Sequence, residues 1–595
     1  MTRLAPLAFV LAALAVAGCG QPPANEPDDA ATSSSADAAQ NTDAAAPADA
    51  TTAPVDAAGE HPDAGEPSSP DGATLPDDGG PAAADAEVTG DTGPTPAQLA
   101  AAAEQKAAAK LDTIAGDPAL LEPFVKDVPK GGDLHHHLSG AVYAETYLAW
   151  AKAEGYCVNT GSMSLAYSCS AGTVAVPSPG DALYTQLVEA WSMENFTPGA
   201  EDGHDHFFAT FGKYGPISGS SHHGKMLADV MKRADSENES YIELMLIAGS
   251  AAGTFGQDLW SSLHGSAQFT ESDFDMFRQE LITDSGWAGA VQPILNDVNN
   301  AENESRQILG CSTAQPDSAC RVATRYEVYV SRSGSATNVY SQIVAAYEAG
   351  KKDARVVAVN LVGPEDGTTA LQRYDIEMAM LGKLKAAYAG RSPVRISLHA
   401  GELAAKYMPG TWNIGSINHV RKAVEIAGAD RIGHGIDIMS ETNPQGLLAD
   451  MASRDIAVEI CLSSNIQILE VSGAAHPLAN YLSAGVAVSL ATDDQAISRS
   501  SIAGEWERAV TDQNLRYLQL KALARNSLQY SFLPGSSLFS QLDPPIADPA
   551  CATSDFVLLG DEVPTADCAA FLAQSARATA QWDLEQRFRA FESAQ

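Results

Sequence analysis

An α/β chain built as a (β/α)8 TIM barrel with long inserted loops is the architecture predicted here, on three observations. Eight short, β-branched apolar runs recur between residues 130 and 490. Helical or irregular stretches separate them, the rhythm of a parallel sheet covered on both faces. Polar clusters close four of these runs at their C-terminal ends, the side on which such barrels carry their chemistry.

The first run ends at Leu134. The others cover 241–247 (YIELMLI), 325–330 (RYEVYV), 355–361 (RVVAVNL), 395–399 (RISLH), 431–433 (RIG), 456–462 (IAVEICL) and 486–490 (VAVSL). Several are near-continuous Val/Ile/Leu sequences, as expected of strands buried on both faces. Helices are expected over 371–390, with Ile376, Met380, Leu384 and Ala387 on its apolar face, and over 418–429, 499–510 and 514–527. An open doubly wound sheet is the rival, weakened because no glycine-rich nucleotide loop follows an early strand. Residues 141–240 and 248–324 exceed what a minimal barrel needs and form the inserts. The tail from about 530 ends in WDLEQRFRAFESA, which reads as a helix.

Three domains follow: 1–19, 20–100 and the folded part, 101–595. Arg3, an apolar run over 4–17 and Val16-Ala17-Gly18-Cys19 resemble a bacterial lipoprotein signal. That resemblance implies cleavage before Cys19, its lipidation, and a lipid-anchored protein of the bacterial cell envelope at the outer membrane or facing the periplasm. Residues 20–100 hold 16 acidic residues and no lysine or arginine. They bury too little to offset ordering entropy and read as an acidic tether. Without them the formal charge of −39 becomes −23, which argues against a nucleic-acid polymer as partner but leaves a neutral nucleoside open. Oligomeric state has no signature in the sequence.

The eight cysteines suit export. Beside Cys19 they form three local candidate pairs, Cys157 with Cys169, Cys311 with Cys320 and Cys551 with Cys568. Cys461, in an apolar run, is expected as a buried free thiol.

The four polar clusters are DLHHHLSG at 133–140, RISLHAGE at 395–402, RIGHG at 431–435 and LATDD at 490–494. Alternation along a strand places His135 and His137 on one side and His136 on the other. With His399 and Asp493 they make three imidazoles and a carboxylate at strand ends, a set suited to Zn²⁺, with Fe²⁺ or Mn²⁺ also compatible by ligand type. Glu402 lies beside His399 as a proton donor or base, with Gly401 allowing close approach. His434 is placed to orient water, and Asp494 to meet substrate while Asp493 binds metal.

The combination of HxHLxG, SLHAGE, RIGHG, SSN and TDD resembles the adenosine deaminase family over roughly 125–530. The resemblance implies one catalytic zinc per chain on His135, His137, His399 and Asp493, with Glu402 protonating N1 and His434 orienting the attacking water. It also implies Asp494 at N7, the Gly363 backbone at N3, and Ser464 and Asn465 supporting the site. The implied activity is deamination of adenosine, and of 2′-deoxyadenosine, to the inosine product and ammonia. Ser139 stands where the family has an aspartate that meets the ribose 5′-hydroxyl. That departure opens the alternatives, another aminopurine or a 5′-modified adenosine, with contacts from Asn195, His204 or aromatic neighbours in the 141–240 insert. A non-catalytic surface nucleoside-binding protein is the remaining alternative.

Overall fold

The computed structural model describes residues 93–595, so Cys19 and residues 20–92 lie outside the described residues. The first helix, Pro96–Ile114, begins before residue 101. Thr95 and Gln98 close a capping box on it, each side chain accepting the other's backbone N–H, and Pro96 occupies the first turn.

Eight parallel strands follow one another in sequence order around a barrel. They are β1 Gly131–His137, β2 Glu239–Ala248, β3 Ala323–Ser331, β4 Val356–Val362, β5 Arg395–Ala400, β6 Arg431–His434, β7 Ala457–Ile460 and β8 Val488–Leu490. The seam closes just beyond β8, where His136 bridges Asp493. There the His137 N–H donates to the Asp493 carbonyl and the Asp493 N–H to that of His135, both at 2.9 Å. The last backbone link of the barrel is thus made by residues of the candidate metal cluster.

All eight expected runs are strands. The seventh stops at Ile460, because Leu462–Leu469 is a helix whose Ser463 N–H is accepted by the Glu505 carboxylate. The helix expected at 371–390 is Thr368–Tyr388. Its buried face runs through Tyr374, Met378, Leu381 and Leu384, leaving Ile376 and Ala387 half-buried. The stretch 418–429 is broken into helix His419–Lys422 and a π turn at Ala423–Ala427, entered through Asn418 at φ +53°. Ile502–Thr511 and Tyr517–Gln529 follow β8, and the tail ends in helix Ala576–Ser593.

The inserts are structured. The first holds a three-stranded antiparallel sheet (Cys157–Asn159, Ser164–Ala166, Thr173–Ala175) and several helices, among them Gly203–Thr210. The second holds helices Ser250–His264, Phe274–Thr283 and Trp287–Ile308. Disulfides join the three expected cysteine pairs, and Cys461 is free and buried.

Candidate active site

Four donor atoms meet at the mouth of the barrel. Nε2 of His399 lies 3.0 Å from Nε2 of His135 and 3.2 Å from Nε2 of His137. Asp493 Oδ1 lies 3.6 and 3.3 Å from the same atoms of His135 and His137. Tetrahedral zinc with bonds of ~2.0–2.1 Å would hold its donors roughly 3.3 Å apart. His136 points away, onto Asp133 and Thr492.

The outer nitrogens fix the tautomers. His135 Nδ1 is 2.7 Å from Glu459 Oε2. His399 Nδ1 is 2.8 Å from Asn360 Oδ1, an oxygen that also accepts the His399 N–H. Both partners accept, so both Nδ1 atoms carry protons and the two Nε2 lone pairs face each other. A proton or a metal cation must stand between them, and the donor set fits the metal. Burial pushes His137 down to about 3 and His399 well below its ordinary value, keeping both neutral as metal binding requires. Burial acts the same way on His135, but hydrogen bonds to Asp493 and Glu459 outweigh it and raise this imidazole. Asp493 stays well below the carboxylate range, since its His135 bond and the surrounding histidines overcome burial.

Around the donors stand the remaining site residues. Burial, and then the Asp493 charge, raise the Glu402 carboxyl well above its ordinary value. Its Oε1 is 3.7 Å from His434 Nε2. Burial pushes His434 down to about 4. Asp494 is raised by burial and by Asp493, and its Oδ1 has no hydrogen-bond partner among the described residues. Gly140 sits where a Cβ would come within 1.7 Å of that oxygen, which explains the glycine ending HLSG. Gly401 has φ +76° and lacks room for a side chain beside Asp437 and Val420. His434 and Asp493 also have positive φ, +66° and +59°, conformations that non-glycine residues hold only when their surroundings enforce them.

A cavity of about 440 Å³ opens over this set. Ser139, Gly363, Glu402, Asp493 and Asp494 line it, together with Phe207, Phe208 and Phe211 from the first insert, and among the described residues no lysine or arginine does. Asn195 and His204, expected as substitutes for the missing aspartate, are absent from this lining. The Asn195 amide bonds Glu189, while His204 bonds Asp366 and stacks on Tyr407, pinning the helix that carries the phenylalanines. A larger cavity of about 900 Å³, lined by Tyr241, Arg325 and Arg587 among others, contains none of these groups.

Three supporting residues escaped sequence reasoning. Glu459 and Asn360 orient two of the histidines. Glu365 accepts the Gly401 and Glu402 N–H groups at 2.9 and 3.0 Å, fixing the HAGE turn, and is itself held by His419 at 2.6 Å. Of the SSN residues, the Ser464 hydroxyl turns back to the Cys461 carbonyl, and only Asn465 reaches the site, 3.1 Å from His434 Nδ1.

A family model described as adenosine deaminase matches residues 297–542. Over these residues, less than half of its length, the chain is similar to adenosine deaminases. The adenosine deaminase of Yersinia enterocolitica is 32% identical over 177 residues, 29% of this chain and 49% of that protein. That of Aliivibrio fischeri is 32% identical over 183 residues, 31% and 48% of the two chains. The match thus spans about half the length of these curated relatives. Among solved structures, an adenine deaminase from Arthrobacter aurescens is 18% identical with a TM-score of 0.42, covering 68% of this chain and 95% of that one. An Arabidopsis N6-mAMP deaminase gives 18% and 0.42, covering 69% and 96%. Residues 297–542 include every deaminase-like motif except the β1 cluster, which reaches the site through the closing seam.

Proposed function

We propose that this site carries out metal-dependent hydrolytic deamination of an uncharged aminopurine, a nucleoside or free base rather than a nucleotide. The observation that carries the reading is the convergence of His135, His137, His399 and Asp493 beside Glu402, His434 and Asp494 in one cavity. A divalent metal held by the first four, zinc by their three imidazoles and one carboxylate, would supply a water of lowered pKa at neutral pH.

The chain's own residues do the rest. Glu402, its proton retained by burial, delivers it to ring nitrogen N1 and draws electron density away from C6. His434 donates from Nε2 to the oxygen adding at C6. Asp494, its carboxyl also raised, donates to N7. The C6–N bond then breaks: of the two protons of the added water, one passes to the amine, which leaves as ammonia, the other returns to Glu402, and a 6-oxopurine protonated at N1 remains. Gly363 offers its backbone at the cavity wall to N3.

Substrate charge follows from the lining. A phosphate would bring about −1.5 to −2 charges into a cavity that holds Glu402, Asp493 and Asp494 and, among the described residues, no cationic side chain. Adenosine and 2′-deoxyadenosine suit it, in keeping with the names of the curated relatives. A free aminopurine or a nucleoside with an apolar 5′ group is the second reading, favoured by neutral Ser139 and the three phenylalanines.

Ammonia release from adenosine, 2′-deoxyadenosine, 5′-substituted adenosines, adenine and AMP, with zinc restored, tests the proposal. Turnover of an uncharged member with little on AMP supports it, whereas preference for AMP, or no turnover at all, contradicts it. Cys19 is part of the same proposal, as a lipid anchor placing the enzyme in the cell envelope. C19A should abolish incorporation of labelled palmitate, and unchanged labelling would refute the anchor.

A further inference from the structure

His434 needs a proton on Nε2 to donate into the mouth, yet a neutral imidazole is free to carry it on either nitrogen. A buried chain of hydrogen bonds behind it settles which. The Leu478 backbone N–H donates to His476 Nδ1 at 3.1 Å. His476 Nε2 lies 3.2 Å from Asn465 Oδ1, and Asn465 Nδ2 lies 3.1 Å from His434 Nδ1. His434 and Asn465 are fully buried and His476 nearly so.

We propose that His476 is a positioning residue which, through Asn465, locks His434 as the Nε2–H tautomer with its proton aimed into the mouth. A backbone N–H can only donate, and that fact sets the polarity of the whole chain. His476 must accept at Nδ1 and therefore donate from Nε2. Asn465 must accept at Oδ1 and therefore donate from Nδ2. His434 must accept at Nδ1, which leaves its proton on Nε2. The opposite polarity would set a His476 Nδ1–H against the Leu478 N–H, two donors at hydrogen-bond distance, at the cost of a buried unsatisfied group. At the far end, His434 Nε2 is buried with no hydrogen-bond partner among the described residues, as expected of a donor kept for a ligand. Burial pushes His476 down to about 4, so it is neutral, with one donor and one acceptor, throughout the neutral range.

The consequence for turnover rests on the deaminase reading, whereas the tautomer does not. The test uses the zinc-loaded full-length chain with ¹⁵N-labelled histidine rings, the His434 signals being assigned by their loss in H434Q. The wild type should show the Nε2–H pattern for His434, and an Nδ1–H pattern would overturn the proposal even if no aminopurine were turned over. N465D replaces the donor with an acceptor, so the pattern should invert. kcat should fall by about 10²-fold, the scale for one lost transition-state donor, with KM within about threefold and metal content unchanged. H476L should give mixed tautomers and roughly tenfold lower kcat, and H476Q, which keeps both a donor and an acceptor, should recover most of the loss. A wild-type pattern in H476L, or an H476Q no better than H476L, would overturn the proposal, as would a kcat lost in proportion to fold stability.

Discussion

The barrel buries two charged clusters, one at its mouth and one a layer below, and they are satisfied in opposite ways. In the lower cluster Arg431 is bonded by Glu243, Glu327 and Glu459, with the Phe532 ring against its guanidinium. The oxygens left over are paired within the protein: that of Glu243 accepts from Tyr241 and the Phe532 N–H, that of Glu459 from Ser397, and that of Glu327 from the Asn360 amide. Arg431 opens β6 and His434 ends it, so three residue steps, about 10 Å, separate them. At the mouth, by contrast, His434 Nε2 and Asp494 Oδ1 have no hydrogen-bond partner among the described residues, and the Nε2 atoms of His135 and His399 face one another. The lower cluster is satisfied within the protein, whereas the upper one presents a donor set able to coordinate a divalent metal.

Two side chains join the clusters. Glu459 gives one oxygen to Arg431 and the other to His135. Asn360 reaches down to Glu327 at 3.4 Å and up to His399. The lower cluster therefore aims two of the four metal donors.

The largest effect should come from the mouth. E402Q removes the proton donor without touching the donor set, so kcat should fall by about 10²–10⁴-fold at unchanged metal content, and a smaller loss would take the acid role from Glu402. R431M should be the most damaging change below, stranding the buried carboxyl groups of Glu243, Glu327 and Glu459 at a cost of about 3–5 kcal/mol in denaturant unfolding. A neutral result would mean the lower cluster is not the scaffold described here. E459Q touches both clusters, and metal affinity should weaken by about 10–100-fold in a chelator competition.

The smallest effect is in the pH dependence. Burial, with Glu459 and Glu243 nearby, pushes Glu327 up to about 8, above the ordinary 4.5. A carboxyl raised on folding takes up a proton, so its contribution is fully present below about 4.5 and is lost as pH rises through about 8. E327Q should flatten the fall in stability between about pH 4.5 and 8 by up to ~1.4 kcal/mol per pH unit. An unchanged slope would remove Glu327 from that role.

Most of the barrel and the reactive set were legible in the sequence because both are local. Strand runs are contiguous, and His135, His137, His399, Glu402, His434 and Asp493 sit at their ends. What joins the clusters is not local, since Glu459, Asn360, Glu243 and Glu327 acquire partners only when the barrel closes. A signal was nonetheless present. Each is a lone polar residue inside an apolar run, in IAVEICL, RVVAVNL, YIELMLI and RYEVYV. A charge there is too costly to bury unpaired, which points to a partner. Asn195 and His204 lie outside the cavity lining for the converse reason. They lie in an insert whose path no periodicity fixes, and the wall it contributes is made of phenylalanines.

The most direct measurement is to titrate metal-free protein with zinc and follow bound metal and ammonia release from the preferred aminopurine in the same samples. Activity should rise in proportion to bound zinc and level off at one per chain. Turnover by the metal-free protein, or full occupancy without turnover of any aminopurine, would contradict the account.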